Sequence, residues 1–269
     1  ALFGRKQITG VELNPIFVHL LTRQPGFAKF TNLAALPGVR FVVDEGRSWL
    51  ARSNDSFDVI QMSLVDTWAA TGAGAFTLSE NGLYTVQAWK IFLDRLSPKG
   101  VFTVSRWYDP TVPDETGRLI SLAMATLFDV GVSEPRRHVF LAAQGQVATL
   151  VLSKSPLELS DIEVLENAAA EYQHDVLITP RSVPASYTLL RIMSAPDRQA
   201  LNAFTSRLEF DLTPPTDDRP FFFNQLALSR PLHALGYAPT LLGGQSTGGG
   251  VRRRDLVATI TLVMLFLIG

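Results

Sequence analysis

Cysteine is absent from the 269-residue chain. Its absence excludes disulfides, thiol catalysis and cysteine metal sites, while leaving the redox compartment open. A surplus of either charge is missing too: 24 basic residues stand against 25 acidic ones. No global field therefore recruits a polyanion, and nucleic acid is not an expected partner. Histidine is sparse, and His19, His138, His174 and His233 stand too far apart to match a metal-ligand spacing. What is present is apolar: 46% of residues are hydrophobic and 18% charged, a balance that fills a core and argues against disorder. The length suits one large α/β domain or two small ones.

Two periodicities alternate along the chain. ITGVEL reads as a short strand, after which Asn14 supplies an N-cap and Pro15 a first helical position for a helix to about Thr22. Pro25 and Gly26 are expected to break it. VRFVV is the next strand and ends on Asp44, Glu45 and Gly46. A short helical segment around Trp49 and Leu50 leads to FDVIQMSLVDTW, a strand that runs into a loop ending on Asp66 and Trp68. Leu83, Val86, Trp89, Phe92, Leu93 and Leu96 recur at helical spacing and predict an amphipathic helix over 82–96. The strand VFTVS and a helix from Glu115 to Asp129 follow. HVFLAA and VATLVLS, joined by Gln144-Gly145-Gln146, then read as an antiparallel hairpin. Ser160 to Glu163 reads as a capping box opening a helix to about Gln173, and another helix is expected from Asp197 to Leu208.

Alternating strands and helices with nearly continuous apolar strands predict an α/β fold, with a mostly parallel sheet and a terminal antiparallel hairpin. Ligands in such sheets sit outside the carboxyl ends of the strands, which singles out the acids there.

The ends carry separate expectations. Leu256 to Gly269 is almost wholly apolar and directly follows Arg252, Arg253 and Arg254. Its helical length of about 21 Å is short of the roughly 30 Å hydrocarbon core, which leaves a buried terminal helix as the alternative. The absence of a polar face and the arginines before it make it read as the start of a transmembrane helix. The arginines place the preceding domain on the cytoplasmic side. The organisation expected is a nucleoside-binding domain over 1–155, an accessory region packed on it over 156–240, a Gly-rich linker with the basic cluster over 241–255, and the membrane segment over 256–269.

The order GVELNP, DEGRSWL, FDVI with an acid and loop, and LYTVQAWKIFLDRLSPKGVF resembles the spermidine/spermine synthase family over roughly residues 8–153, in its membrane-attached form. That resemblance implies the Rossmann-like fold of S-adenosylmethionine-dependent methyltransferases. It also implies S-adenosylmethionine or its decarboxylated form as co-substrate, a small-molecule amine as acceptor, and no metal. By the same resemblance Glu12 binds the ribose hydroxyls, and Asp44 or Glu45 lies near the adenine amino group, Glu45 holding the family register. Gly46 lets the backbone approach the base. The family's Gly-rich turn has no counterpart before residue 8, and ALFGRK reads as the end of the helix that would follow it. A homo-oligomer stays open.

The family carries two aspartates after the strand, three positions apart, the first taking the proton from the attacking amine and the second holding its charge. Here Ser63 stands at the first position and Asp66 at the second. Asp66 is either a substrate carboxylate or a turn residue. Trp68 and Tyr84 offer aromatic faces to a sulfonium or ammonium, with a core role the alternative for Tyr84. AATGAGAFTLSE matches the family's covering loop, and Asp109 is a further candidate substrate contact. Asp217-Asp218-Arg219 in TDDRPFFF reads as an ion pair anchoring a loop. An aminopropyltransferase is thus expected, with a methyltransferase or a non-catalytic nucleoside- or polyamine-binding domain as the alternatives.

Overall fold

The computed structural model describes residues 7–63, 81–111, 115–208 and 210–225. Asp66, Trp68, the loop 69–80, the linker and the segment 256–269 lie outside the described residues. Among the described residues no helix is long and apolar enough to cross a membrane. The chain divides into two compact units, Ala1–Asp55 and Ser56–Gly269.

In the first unit, β1 (Ile8–Glu12) pairs in parallel with β2 (Val39–Val43), Glu12 standing opposite Val43. Between them lie α1 (Pro15–Thr22) and α2 (Pro25–Thr31). Asn14 caps α1 as expected, its side chain accepting from the Ile16 N–H at 2.9 Å. Pro25 does not simply end α1. It opens α2, because a first-turn proline gives up an N–H that has no helical partner anyway. α3 (Gly46–Arg52) follows β2.

In the second unit the strand order is β3-β4-β6-β5-β7. β3 (Phe57–Met62) runs parallel to β4 (Leu96–Trp107), and α4 (Val86–Arg95) connects them. α5 (Glu115–Asp129) leads from β4 to the hairpin of β5 (Val139–Gln144) and β6 (Val147–Ser153), with β6 antiparallel to β4. The α/β class, the parallel crossover units and the terminal hairpin are those expected. The antiparallel part extends further through β7 (Asp175–Ile178), which adds to β5.

Buried residues concentrate in this unit. Val86, Trp89, Phe92 and Leu93 form the inward stripe of α4, which covers Val86–Arg95 rather than the expected 82–96, with Leu83 ahead of it and the buried Leu96 already in β4. α5 is buried almost all round. β3 departs from expectation: Ile60 is buried but Val59 is 41% exposed. α6 (Leu159–Glu171) begins just before the expected capping box. The N–H of Glu158, its N-cap, donates to Asp161 at 3.0 Å, and the helix packs on Phe140 and Ala142 of β5 through Ile162 and Ala169. Two further helices, α7 (Tyr187–Met193) and α8 (Arg198–Thr205), complete the unit.

Trp89 ties this core together. It is fully buried, donates its indole N–H to the Leu83 carbonyl at 3.1 Å and meets Phe102 edge-on. Trp89→Ala should cost about 3–5 kcal/mol in urea unfolding of the second unit, since both a large cavity and an unpaired carbonyl result.

Candidate functional site

The first-unit candidates stand at the carboxyl ends of β1 and β2. The Asp44 N–H donates to the Glu12 carbonyl at 3.1 Å, so the main chain itself holds the two strand ends together. Glu12 is half-buried, and its Oε1 accepts from the Asn14 N–H at 2.8 Å. Oε2 has no partner among the described residues. That carboxylate is placed for a pair of hydroxyl donors, since one carboxylate accepts several hydrogen bonds.

Asp44 and Glu45 are more committed. The Asp44 carboxylate accepts from the Glu45 N–H at 2.8 Å and pairs with Arg52. The Arg52 hydrogen bond is the main cause that holds its pKa below the usual carboxylate value. Glu45 is the N-cap of α3, with Oε1 accepting from the Arg47 N–H at 2.9 Å and Oε2 from the Ser48 N–H at 2.7 Å. Burial opposes its ionisation, yet those backbone donors together hold its pKa below the ordinary glutamate value. Gly46 is the first residue of α3. Of the three acids, Glu12 keeps the most acceptor capacity.

In the second unit, Ser63 lies one residue past β3 and is exposed. Met62 is in register with Val104 of β4, so β3 and β4 leave the sheet at the same edge. Asp109 follows β4 by two residues. Its Oδ1 accepts from both the Thr111 N–H at 2.8 Å and the Thr111 hydroxyl at 2.6 Å, a self-contained turn. Tyr84 sits inside. It is fully buried, stacks on Phe222 at a centroid separation of 4.5 Å, and its hydroxyl accepts from Arg106 at 3.4 Å. The ring serves packing here, and a cation reaching it from solvent would have to displace those neighbours.

No protein-family model matches the chain, and no curated protein matches it. Among solved structures it is similar to a spermidine synthase from Thermotoga maritima, with 18% identity over 58% of this chain and 48% of that one and a TM-score of 0.40. It is also similar to a probable spermidine synthase from Corynebacterium glutamicum, with 14% identity over 70% and 61% of the two chains and a TM-score of 0.46. A third is the human methyltransferase-like protein 13 in complex with SAH, with 15% identity over 67% and 73% and a TM-score of 0.40. The chain spans about half the length of the Thermotoga protein.

The segment Asp211 to Gln225 is anchored by several contacts. Asp217 accepts from the hydroxyl of Thr85, the N-cap of α4, at 2.7 Å, and its N–H donates to Gln87 at 3.1 Å. Arg219 reaches Asp211 at 3.7 Å but stays exposed. The main anchor is Arg118 of α5, which donates to the carbonyls of Thr213, Phe221, Phe222 and Asn224. Sequence reading missed Arg118 because backbone carbonyls leave no residue signature. It also missed Arg106 and Glu115, although the alternation Phe102, Val104, Arg106 already puts that arginine on the inward face.

Glu45→Ala should destabilise the first unit by about 1 kcal/mol through loss of the α3 cap, with faster exchange of the Arg47 and Ser48 amides. Because the folded pKa is depressed, the cap's contribution is complete above the unfolded value of about 4.3 and is lost as pH falls through the folded one. The difference between wild type and Glu45→Ala should therefore shrink in an acid titration followed by amide exchange.

Proposed function

We propose that the protein is a transferase that uses an adenosine-bearing sulfonium, moving an aminopropyl group from decarboxylated S-adenosylmethionine to a polyamine or related amine. The observation that carries this reading is Glu12, a half-buried carboxylate with unused acceptor capacity at the carboxyl end of a parallel strand. That is where an α/β sheet binds ligands, and a ribose diol is a donor pair that a carboxylate matches. The order of GVELNP, DEGRSWL, FDVI and the helix-strand segment after it supports the same reading.

The chemistry is a displacement. The amine nitrogen attacks the aminopropyl carbon bound to sulfur, the C–S bond breaks with its electron pair going to sulfur, and the nitrogen loses a proton. Ser63 stands where the family places the base, and a serine hydroxyl is no proton acceptor at neutral pH. Asp66 then both holds the ammonium and receives the proton. General-base assistance is worth about 10²- to 10⁴-fold, whereas positioning contributes about 7–11 kcal/mol, so transfer survives Ser63 at a reduced rate. Asp44 and Gly46 border the base of the nucleoside in this reading, and Glu45 shapes the turn by capping α3. Trp68 and Asp109 border the amine.

A methyltransferase is the second reading, favoured by Ser63 alone, and a non-catalytic nucleoside- or polyamine-binding domain is the third. Membrane attachment through 256–269, with the domain on the cytoplasmic side, belongs to the same proposal and rests on the arginine cluster before that segment.

Calorimetry on the intact protein separates these readings. Tighter binding of decarboxylated S-adenosylmethionine supports aminopropyl transfer, and tighter binding of S-adenosylmethionine supports methyl transfer. Binding of neither removes both. Ser63→Asp should raise amine transfer by about 10²-fold or more if a base is what the site lacks. Asp66→Asn should lower turnover more than Ser63→Ala does; equal and negligible effects in an amine-transfer assay remove Asp66 from the site.

A further inference from the structure

Arg106 is a fully buried arginine on a β-strand, and among the described residues three separate parts of the second unit surround it. From α5, Glu115 accepts with one oxygen, Oε2, from Nη2 at 2.7 Å and from Nε at 3.1 Å. Ahead of α4, the Tyr84 hydroxyl accepts from Nη1 at 3.4 Å. From the segment 211–225, the Phe223 ring centre lies 4.6 Å from the guanidinium carbon, and the rings of Tyr84 and Phe222 lie at 5.4 and 5.9 Å. A buried carboxylate, a hydroxyl acceptor and three aromatic rings around one cation form a recognition set for a planar, multi-donor cation.

We propose that Glu115, Tyr84, Phe222 and Phe223 constitute an alkylguanidinium-binding site, which the chain fills with its own Arg106, and that filling it locks the segment 211–225 onto the end of β4. The lock is specific for a guanidinium. A lysine ammonium is a compact point charge and lacks the flat edge whose Nε and Nη2 donors converge on the Glu115 Oε2 while the plane lies among the aromatic rings. The site explains why PFFF places two phenylalanines where they pack on the sheet. Both rings also contact Tyr84, at centroid separations of 4.5 and 5.8 Å, so the three rings form one wall against the cation. Order in the segment is reported by three amides: Asn81 to the Pro220 carbonyl at 2.7 Å and Val86 to the Pro215 carbonyl at 3.0 Å reach it from outside, and Asp211 to the Gln225 carbonyl at 2.8 Å closes it on itself. This inference does not depend on the transferase reading.

Arg106→Ala removes the atoms of N-ethylguanidinium and leaves the rest of the box in place. The variant should melt roughly 10 °C or more below wild type and exchange the amides of Asn81, Val86 and Asp211 faster. N-ethylguanidinium at about 10 mM, far below denaturing levels, should restore at least half of both losses. Ethylammonium at the same concentration should restore less, and sodium chloride none. The rescue should vanish in Arg106→Ala with Glu115→Gln. Should Arg106→Ala not fold alone, its refolding yield with and without N-ethylguanidinium gives the same comparison. Arg106→Lys should fold with intermediate protection of the three amides. The proposal is overturned if N-ethylguanidinium does no better than salt, if rescue persists without the Glu115 carboxylate, or if Arg106→Lys protects the segment as well as wild type.

Discussion

Parallel pairing is the constraint on which the rest of the molecule depends. Two strands that run the same way cannot be joined by a tight turn, so each pair needs a helical crossover. β1 reaches β2 through α1 and α2, and β3 reaches β4 through α4. In each unit this brings two carboxyl ends to one edge. Glu12, Asp44 and Glu45 owe their positions to the first pair, Ser63 and Asp109 to the second. The chemistry is therefore placed by the sheet, and the side chains decide only what is done with the place.

Holding the connecting segments still is a separate task, and buried polar groups perform it. Arg118 gathers four carbonyls of the segment 211–225, satisfying backbone acceptors that would otherwise be buried unpaired at a cost of about 1–3 kcal/mol each. Thr85 uses one hydroxyl twice, accepting from the Ala88 N–H to cap α4 and donating to Asp217. The Arg106–Glu115 pair joins the end of β4 to the start of α5 in the same region. Together these contacts fix the residues around Asn81 to Val86. Rigid elements on which a site is built hold its groups more precisely than loops do.

Local features were legible in the sequence and long-range partners were not. The bounds of α5 could be read directly, since its apolar spacing is unbroken and Gly131 follows with a positive φ of 82°. Asn14 and Pro15 announced α1 for equally local reasons. β7 was invisible because four residues carry no periodicity, and it exists only because β5 has an edge to pair with. Glu45 was read as a ligand-facing acid from its register, but its two oxygens are taken by the first turn of α3, an outcome that depends on where that helix starts. Tyr84 could be read either as an aromatic face for a cation or as core, and Phe222, 138 residues away, is what encloses it.

Glu12 is the residue on which the proposed nucleoside binding rests. Its acceptor capacity is open, its backbone is pinned by β2, and its substitution removes no cap or core contact beyond the Asn14 turn. The decisive measurement is calorimetric titration of the intact protein and its Glu12→Gln variant with S-adenosylhomocysteine, with thermal melting as the check on folding. Hydrogen bonds to a charged group contribute about 1.5–3 kcal/mol, so binding should weaken roughly tenfold to a hundredfold at unchanged melting temperature. Equal affinity in the two proteins would contradict the claim that the carboxyl end of β1 is a nucleoside site.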